Sequence, residues 1–169
     1  MPRALTEQEK IRQIELLLEK GKDIVFEQGI RKISVDDITR AAGVAKGTFY
    51  QHFESKEQFL YKLIINVHCQ MFIQAEQVIS GQKDIATGFR SFITNCFHMP
   101  ELAFLIKNER EIESVLVSMP DQDFKTFKRT ETGVFEKLLD MAHIDPQKVK
   151  PGVVHNYIHT LYLDRKSVV

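Results

Sequence analysis

A chain of 169 residues, 43% hydrophobic and 27% charged with a mean hydropathy of −0.22, has the make-up of one globular unit or two small subdomains on a shared core, which excludes a large multidomain enzyme and a disordered chain. Its 23 basic side chains are balanced by 23 acidic ones, so no net field draws it toward nucleic acid or membrane, and any anion binding has to be local. The longest apolar runs, such as Leu16-Leu17-Leu18, fall far short of the roughly 20 residues a bilayer span needs, and no apolar leader core follows Met1; the expectation is a cytoplasmic protein with no membrane partner.

Apolar residues recur at spacings of three and four, and no alternating strand pattern leads into a hairpin, so the chain reads as all-α. Ile11, Ile14, Leu17, Leu18, Ile24 and Val25 form the stripe of a first helix, opened by the capping box Thr6-Glu7-Gln8-Glu9 and stopped by Gly29. Gly21 lies inside that helix, where Ala would be better by about 1 kcal/mol. Ser34-Val35-Asp36-Asp37 opens a short second helix through Ile38 to Ala42, which Gly43 ends by taking a positive φ. A third runs from Ala45 to His52. Ser55-Lys56-Glu57-Gln58 starts a long fourth helix that Phe59, Leu63 and Val67 carry toward Ile79, with Ser80-Gly81 as its stop. Three further helices are expected over 83–98, 100–116 and 121–143, with Pro100 and Pro120 in first-turn positions, and a last one from Pro146 or Pro151.

Two short helices joined by a tight Gly-containing turn form a helix-turn-helix signature, and 35–50 has that length and spacing. At 100° per residue from Lys46, Phe49 and Phe53 fall at about 300° and 340° and define an inward face. Gly47, Gln51 and Thr48 fall at about 100°, 140° and 200° on the opposite side, with Tyr50 and His52 on the shoulders and Lys46 at the leading end. Such a face suits a DNA major groove: Gly47 lets the backbone approach, Gln51 offers a bidentate amide to adenine, and Thr48 meets a thymine methyl or a phosphate. Tyr50, His52 and Lys46 bond phosphates, as does Lys56 in the first turn of the next helix.

The run from Gly29 through Ser34-Val35-Asp36-Asp37-Ile38-Thr39-Arg40-Ala41-Ala42-Gly43-Val44-Ala45-Lys46-Gly47-Thr48-Phe49-Tyr50-Gln51-His52-Phe53 to Leu60 closely resembles the DNA-binding region of TetR-family bacterial transcriptional regulators. The resemblance covers about 7–62. It implies that the third helix lies in the major groove of double-stranded operator DNA, with Lys46, Gly47, Thr48, Tyr50, Gln51, His52 and Lys56 at the contacting positions. It also implies a homodimer on a two-fold operator and a second, helical domain that takes a small-molecule inducer. The expected division is a helix-turn-helix domain over 1–55 and a regulatory and dimerisation domain over 56–163, with helix 56–80 linking them. The function expected is a repressor released by its ligand; a ligand-independent architectural DNA-binding factor and, more distantly, a helical enzyme stand as alternatives. The chain has no Gly-rich phosphate loop, no G-x-S-x-G and no H-E-x-x-H, and Asp36-Asp37 is explained by helix capping, so no enzyme activity is expected.

The second half is rich in phenylalanine, with Phe89, Phe92, Phe97, Phe104, Phe124, Phe127 and Phe135, so an inducer pocket there would be mostly apolar; neither the ligand nor its contact residues follow from the sequence. Glu109, Glu111 and Glu113 read as part of a solvated, mixed-charge face. Cys69 and Cys96 read as buried thiols. His68-Cys69 and Cys96-x-His98 lack standard zinc spacing, His155 and His159, four apart on an expected helix and able to chelate, read first as surface histidines, and no metal or cofactor is expected. The stripe of Val153, Val154, Tyr157, Ile158, Leu161 and Tyr162 breaks at Asp164-Arg165-Lys166-Ser167-Val168-Val169. That hexapeptide reads as a non-native tail of adapter read-through, leaving the expected dimerisation helices truncated.

Overall fold

Thr6 starts the first helix, α1 (Glu7–Gln28), through a reciprocal cap: its hydroxyl accepts from the Glu9 N–H at 3.2 Å and the Glu9 carboxylate accepts from the Thr6 N–H at 2.8 Å. α2 (Val35–Ala42) is opened in the same way by Ser34 and Asp37, and ends at Gly43 in the left-handed conformation, φ 65°. A two-residue link leads into α3 (Lys46–His52), and α4 (Lys56–Ser80) follows with the Ser55 hydroxyl accepting from the Gln58 N–H. α5 (Ile85–Cys96), α6 (Pro100–Lys107) and α7 (Glu109–Val117) follow. The computed structural model describes residues 5–96 and 98–120 without a break, and beyond them 122, 125, 126, 129, 133, 136, 137, 139, 140, 145 and 147. Among the described residues every element is a helix, as expected of an all-α chain. The expected last helix, the stripe over 153–162 and the tail 164–169 lie outside the described residues.

Two expectations need correction. The helix expected over 83–98 is shorter, because Asp84 acts as a cap: its carboxylate takes the Thr87 N–H at 2.8 Å and the Thr87 hydroxyl at 2.7 Å, so the helix begins at Ile85. The single helix expected over 100–116 is two. It breaks at Asn108, which leaves helical geometry at φ −113°, ψ 22°. The physical reason is that the two halves serve different cores, and Asn is among the residues that leave a helix most readily.

The chain divides into two compact units. The first runs to Asn66 and takes in Asn108–Met119, so it holds α1, α2, α3, the start of α4 and, from far along the chain, α7. The second holds Val67–Lys107 and the described residues after Pro120. The division thus falls within α4, between Asn66 and Val67.

In the first unit Leu17, Val25, Ile30, Ile33, Ile38, Phe49, Phe53, Phe59, Leu63 and Ile64 are buried. Ile11, expected on the inward stripe of α1, is instead 53% exposed. Arg31, between α1 and α2, pairs with Glu111 of α7 at 3.0 Å, so that glutamate is part of the first unit and not of a purely solvated face. In the second unit Ala75 and Ile79 of α4 are buried with Phe72 and Phe92 against them.

Gly21 is where the sequence reading and the packing part company. A Cβ there would lie 2.3 Å from the Cζ of Phe59, a ring that is itself wholly buried. The gain in helix propensity from Ala is about 1 kcal/mol, whereas forcing extra volume into a packed core costs about 1 to 3 kcal/mol. Packing wins. Gly21→Ala is therefore expected to lower the melting temperature; a Gly21→Ala variant that melts higher than the parent would contradict the packing.

The α2 cap makes a pH prediction. Hydrogen bonds from the Ser34 hydroxyl, and then from its backbone N–H, hold the Asp37 carboxyl below the ordinary aspartate value. A depressed carboxyl contributes stability that is present above the unfolded-state value of about 3.9 and is lost as pH falls through the lowered one. Side-chain carboxyl NMR should show Asp37 titrating below the ordinary range and moving up in Ser34→Ala. Titration at the ordinary value in the unsubstituted chain would count against the cap.

Candidate nucleic-acid interface

The surface around α3 is set from below by aromatic rings. Phe49 and Phe53 point inward at 0% and 3% exposure and, with Phe59 from α4, form a triangle of ring centroids 5.2, 5.2 and 5.5 Å apart. Aromatic pairs at this separation add to plain burial through their edge-to-face geometry, as Phe53 and Phe59 do at 86°. Because α3 has only seven residues, with Phe49 inside it and Phe53 as its C-terminal cap both in this cluster, the remaining side chains have no choice of face.

The face so imposed is the one the angular arithmetic predicts. Lys46, Gly47, Tyr50 and Gln51 are exposed, while Thr48, His52 and, at the start of α4, Lys56 are half-buried. A Cβ on Gly47 would meet nothing within 4 Å, so the backbone there is open to an approaching molecule. Tyr50 is 51% exposed and stands edge-on to Phe49, with centroids 5.3 Å apart at 84°, which braces the ring and leaves its outer side free.

Three of the seven residues hold partners that the sequence reading did not foresee. The Lys46 ammonium is 2.8 Å from the Asp36 carboxylate, which raises its pKa through a hydrogen bond and direct charge attraction. The Lys56 ammonium donates to the Ile33 carbonyl at 3.2 Å, tying the first turn of α4 to the segment before α2. His52 Nε2 is 2.7 Å from the Gln13 Oε1 of α1. Burial, and then the positive charge of Lys10, push the His52 imidazole below 6.5, toward the neutral form. Asp36 was legible only as first-turn helix charge; Gln13 carries no local signal, since its partner is 39 positions away. Thr39 is buried, and its hydroxyl is satisfied by the Val35 and Asp36 carbonyls at 3.0 and 3.2 Å.

The arrangement offers a reachable backbone at Gly47, an amide at Gln51, hydroxyls at Thr48 and Tyr50, and ammonium groups at Lys46 and Lys56 along one short helix and its neighbour, which are the groups that meet base edges and phosphates. Among the described residues no three His, Cys, Asp or Glu side chains come together as a metal site. Cys69 is a free thiol, half-buried where full burial was expected. Among the described residues no helix is long and apolar enough to cross a membrane.

The second unit carries an open groove on its described surface. It has a volume of about 480 Å³, and Gln77, Gln82, Arg90, Ser91, Thr94 and Asn95 are among its lining residues. Of the phenylalanines expected around a pocket, Phe92 packs on Ala75 and Ile79 and Phe104 is buried. Phe97, Phe124, Phe127 and Phe135, with the side chain of Phe89, lie outside the described residues, as do His155 and His159.

Residues 17–62 match the family described as bacterial regulatory proteins, tetR family. Over 43 residues the chain is 56% identical to the HTH-type transcriptional repressor DhaR of Mycobacterium sp. (strain GP1), a stretch covering 25% of this chain and 22% of that protein. Over 87 residues it is 30% identical to the HTH-type transcriptional regulator YvdT of Bacillus subtilis (strain 168), covering 52% and 45% respectively. The matched stretches therefore span less than half the length of either relative. The crystal structure of a TetR family transcription regulator from Marinobacter aquaeolei VT8 has the same fold, with a TM-score of 0.63 over 94% of this chain and 85% of that one at 22% identity. The matched segment runs from the buried middle of α1 through α2 and α3 to the start of α4, and over it the chain is similar to the tetR family of bacterial regulatory proteins.

Proposed function

We propose that this chain is a sequence-specific DNA-binding regulator of transcription in the bacterial cytoplasm, a repressor that leaves its operator when a small molecule occupies its second unit. The observation that carries the reading is the outward face of α3, where Gly47, Gln51 and Tyr50 are exposed above a wholly buried aromatic base. In this reading α3 enters the major groove, Gln51 and Thr48 meet base edges, and Lys46, Tyr50, His52 and Lys56 meet phosphates. The names of its relatives, a transcriptional repressor and a transcriptional regulator, support the same function. Two copies on a two-fold operator supply two such helices, which is the arrangement that gives half-sites their spacing.

Ligand control draws on α4, which begins in the first unit and continues into the second. A ligand can shift DNA affinity only by binding the released geometry better than the bound one, so its effect on DNA must be mirrored by DNA's effect on the ligand. The identity of the ligand is open.

Two outcomes are expected. Gln51→Ala should relax preference at one base pair of each half-site by about 1 to 3 kcal/mol, while Lys56→Ala should weaken binding to all duplexes and flatten the salt dependence by about one unit per protomer. Fluorescence anisotropy against duplexes of different sequence measures both; equal affinity for every duplex at moderate salt would refute the reading. A small molecule that raises the melting temperature of the chain should weaken its operator complex reciprocally. Compounds that stabilise the protein strongly without changing operator affinity would instead favour a ligand-independent DNA-binding factor.

A further inference from the structure

We infer that Asp36 is a specificity-determining residue of the DNA-binding surface: its carboxylate holds the Lys46 ammonium, so that the leading end of α3 meets DNA without a free positive charge. The inference rests on the DNA-binding reading above and adds a residue to it.

The charges of α2 and α3 are matched one to one. Arg40 lies 3.4 Å from the Asp37 carboxylate and Lys46 lies 2.8 Å from that of Asp36. Both cations are well exposed, at 77% and 54%, so each faces whatever approaches the surface. Exposed ion pairs contribute little to folding, and the consequence of the Asp36–Lys46 pair therefore lies in binding. The cap of α2 is completed by Ser34 and Asp37, so the Asp36 side chain is not used there. Its backbone is tied in place, because the Asp36 carbonyl accepts from the buried Thr39 hydroxyl. Asp36 is thus a fixed anion, presented to Lys46 from the neighbouring helix and free of other duty in the cap.

Nonspecific affinity for DNA comes almost wholly from cations set on phosphates, each releasing a condensed counterion and adding about 0.9 to the salt slope. A lysine that must leave a carboxylate, or share itself between carboxylate and phosphate, brings no net charge. An arbitrary duplex, held by its backbone alone, gains nothing from Lys46. A duplex that lets Gln51 and Thr48 dock brings a phosphate close enough to draw the ammonium away, and only there is the contact made. Asp36 thereby widens the ratio between preferred and arbitrary DNA, in keeping with a chain whose 23 basic and 23 acidic groups leave it no general attraction to nucleic acid.

The test is the salt dependence of binding, by anisotropy, for a preferred and a scrambled duplex with the full chain and four variants: Asp36→Asn, Asp36→Glu, Lys46→Ala and the double variant Asp36→Asn with Lys46→Ala. Asp36→Asn should steepen the slope on scrambled DNA by about 0.9 per bound protomer and tighten that binding by about eightfold at 0.1 M salt, with a smaller gain on the preferred duplex. Asp36→Glu keeps the anion and should keep the parent slope. The gain should vanish when Lys46 is already Ala. An unchanged slope in Asp36→Asn, an equal steepening with and without Lys46, or an equal gain on both duplexes overturns the inference while leaving DNA binding intact. Failure of the unsubstituted chain to distinguish the duplexes overturns the DNA-binding reading, and the inference with it.

Discussion

The Phe59 ring is the contact on which the first unit depends. It lies on Gly21 of α1 from one side and against Phe49 of α3 and its cap Phe53 from the other, so a single side chain at the start of α4 joins three helices. α3 has seven residues and no side-chain cap hydrogen bond at its start, and an isolated helix that short does not hold in water. Its helicity and its orientation both come from the aromatic base. The polar face of α3 is consequently as rigid as the cluster beneath it, which is what a surface that reads base edges requires.

Charge follows the same economy of local fit. The chain as a whole is neutral, and in the first unit Lys46, Arg40 and Arg31 each carry an acidic partner within 4 Å. On the proposed reading, affinity for DNA comes from close docking and not from long-range attraction, since exposed charges more than about 10 Å away are screened at ordinary salt. A neutral pair such as Asp36 and Lys46 adds to this dependence on fit: the lysine becomes available only where a phosphate is brought close enough to compete for it.

Much of this was legible in the sequence because the signals are short-range. The caps at Thr6 and Ser34, the positive φ at Gly43 and the inward turn of Phe49 and Phe53 all depend on residues within a few positions of one another, and all are found as read. What escaped the reading depends on distant residues. Gly21 looked like a weak point of α1 because Phe59, 38 positions on, is invisible to a local pattern. The break at Asn108 escaped because periodicity continues across it, whereas α6 and α7 serve separate units. The partners of His52, Lys56 and Lys46 were missed for the same reason: a capping or solvated role accounts for each residue until its neighbour in space is known.

The central claim is that the face of α3 reads DNA sequence. Sequencing the duplexes that the chain retains from a random pool tests it most directly, because selection assumes no operator and reports symmetry as well as preference. The account predicts enrichment of a two-fold-symmetric motif whose half-sites stand about one helical turn, or a multiple of it, apart. A retained pool with the base composition and sequence distribution of the input would contradict it.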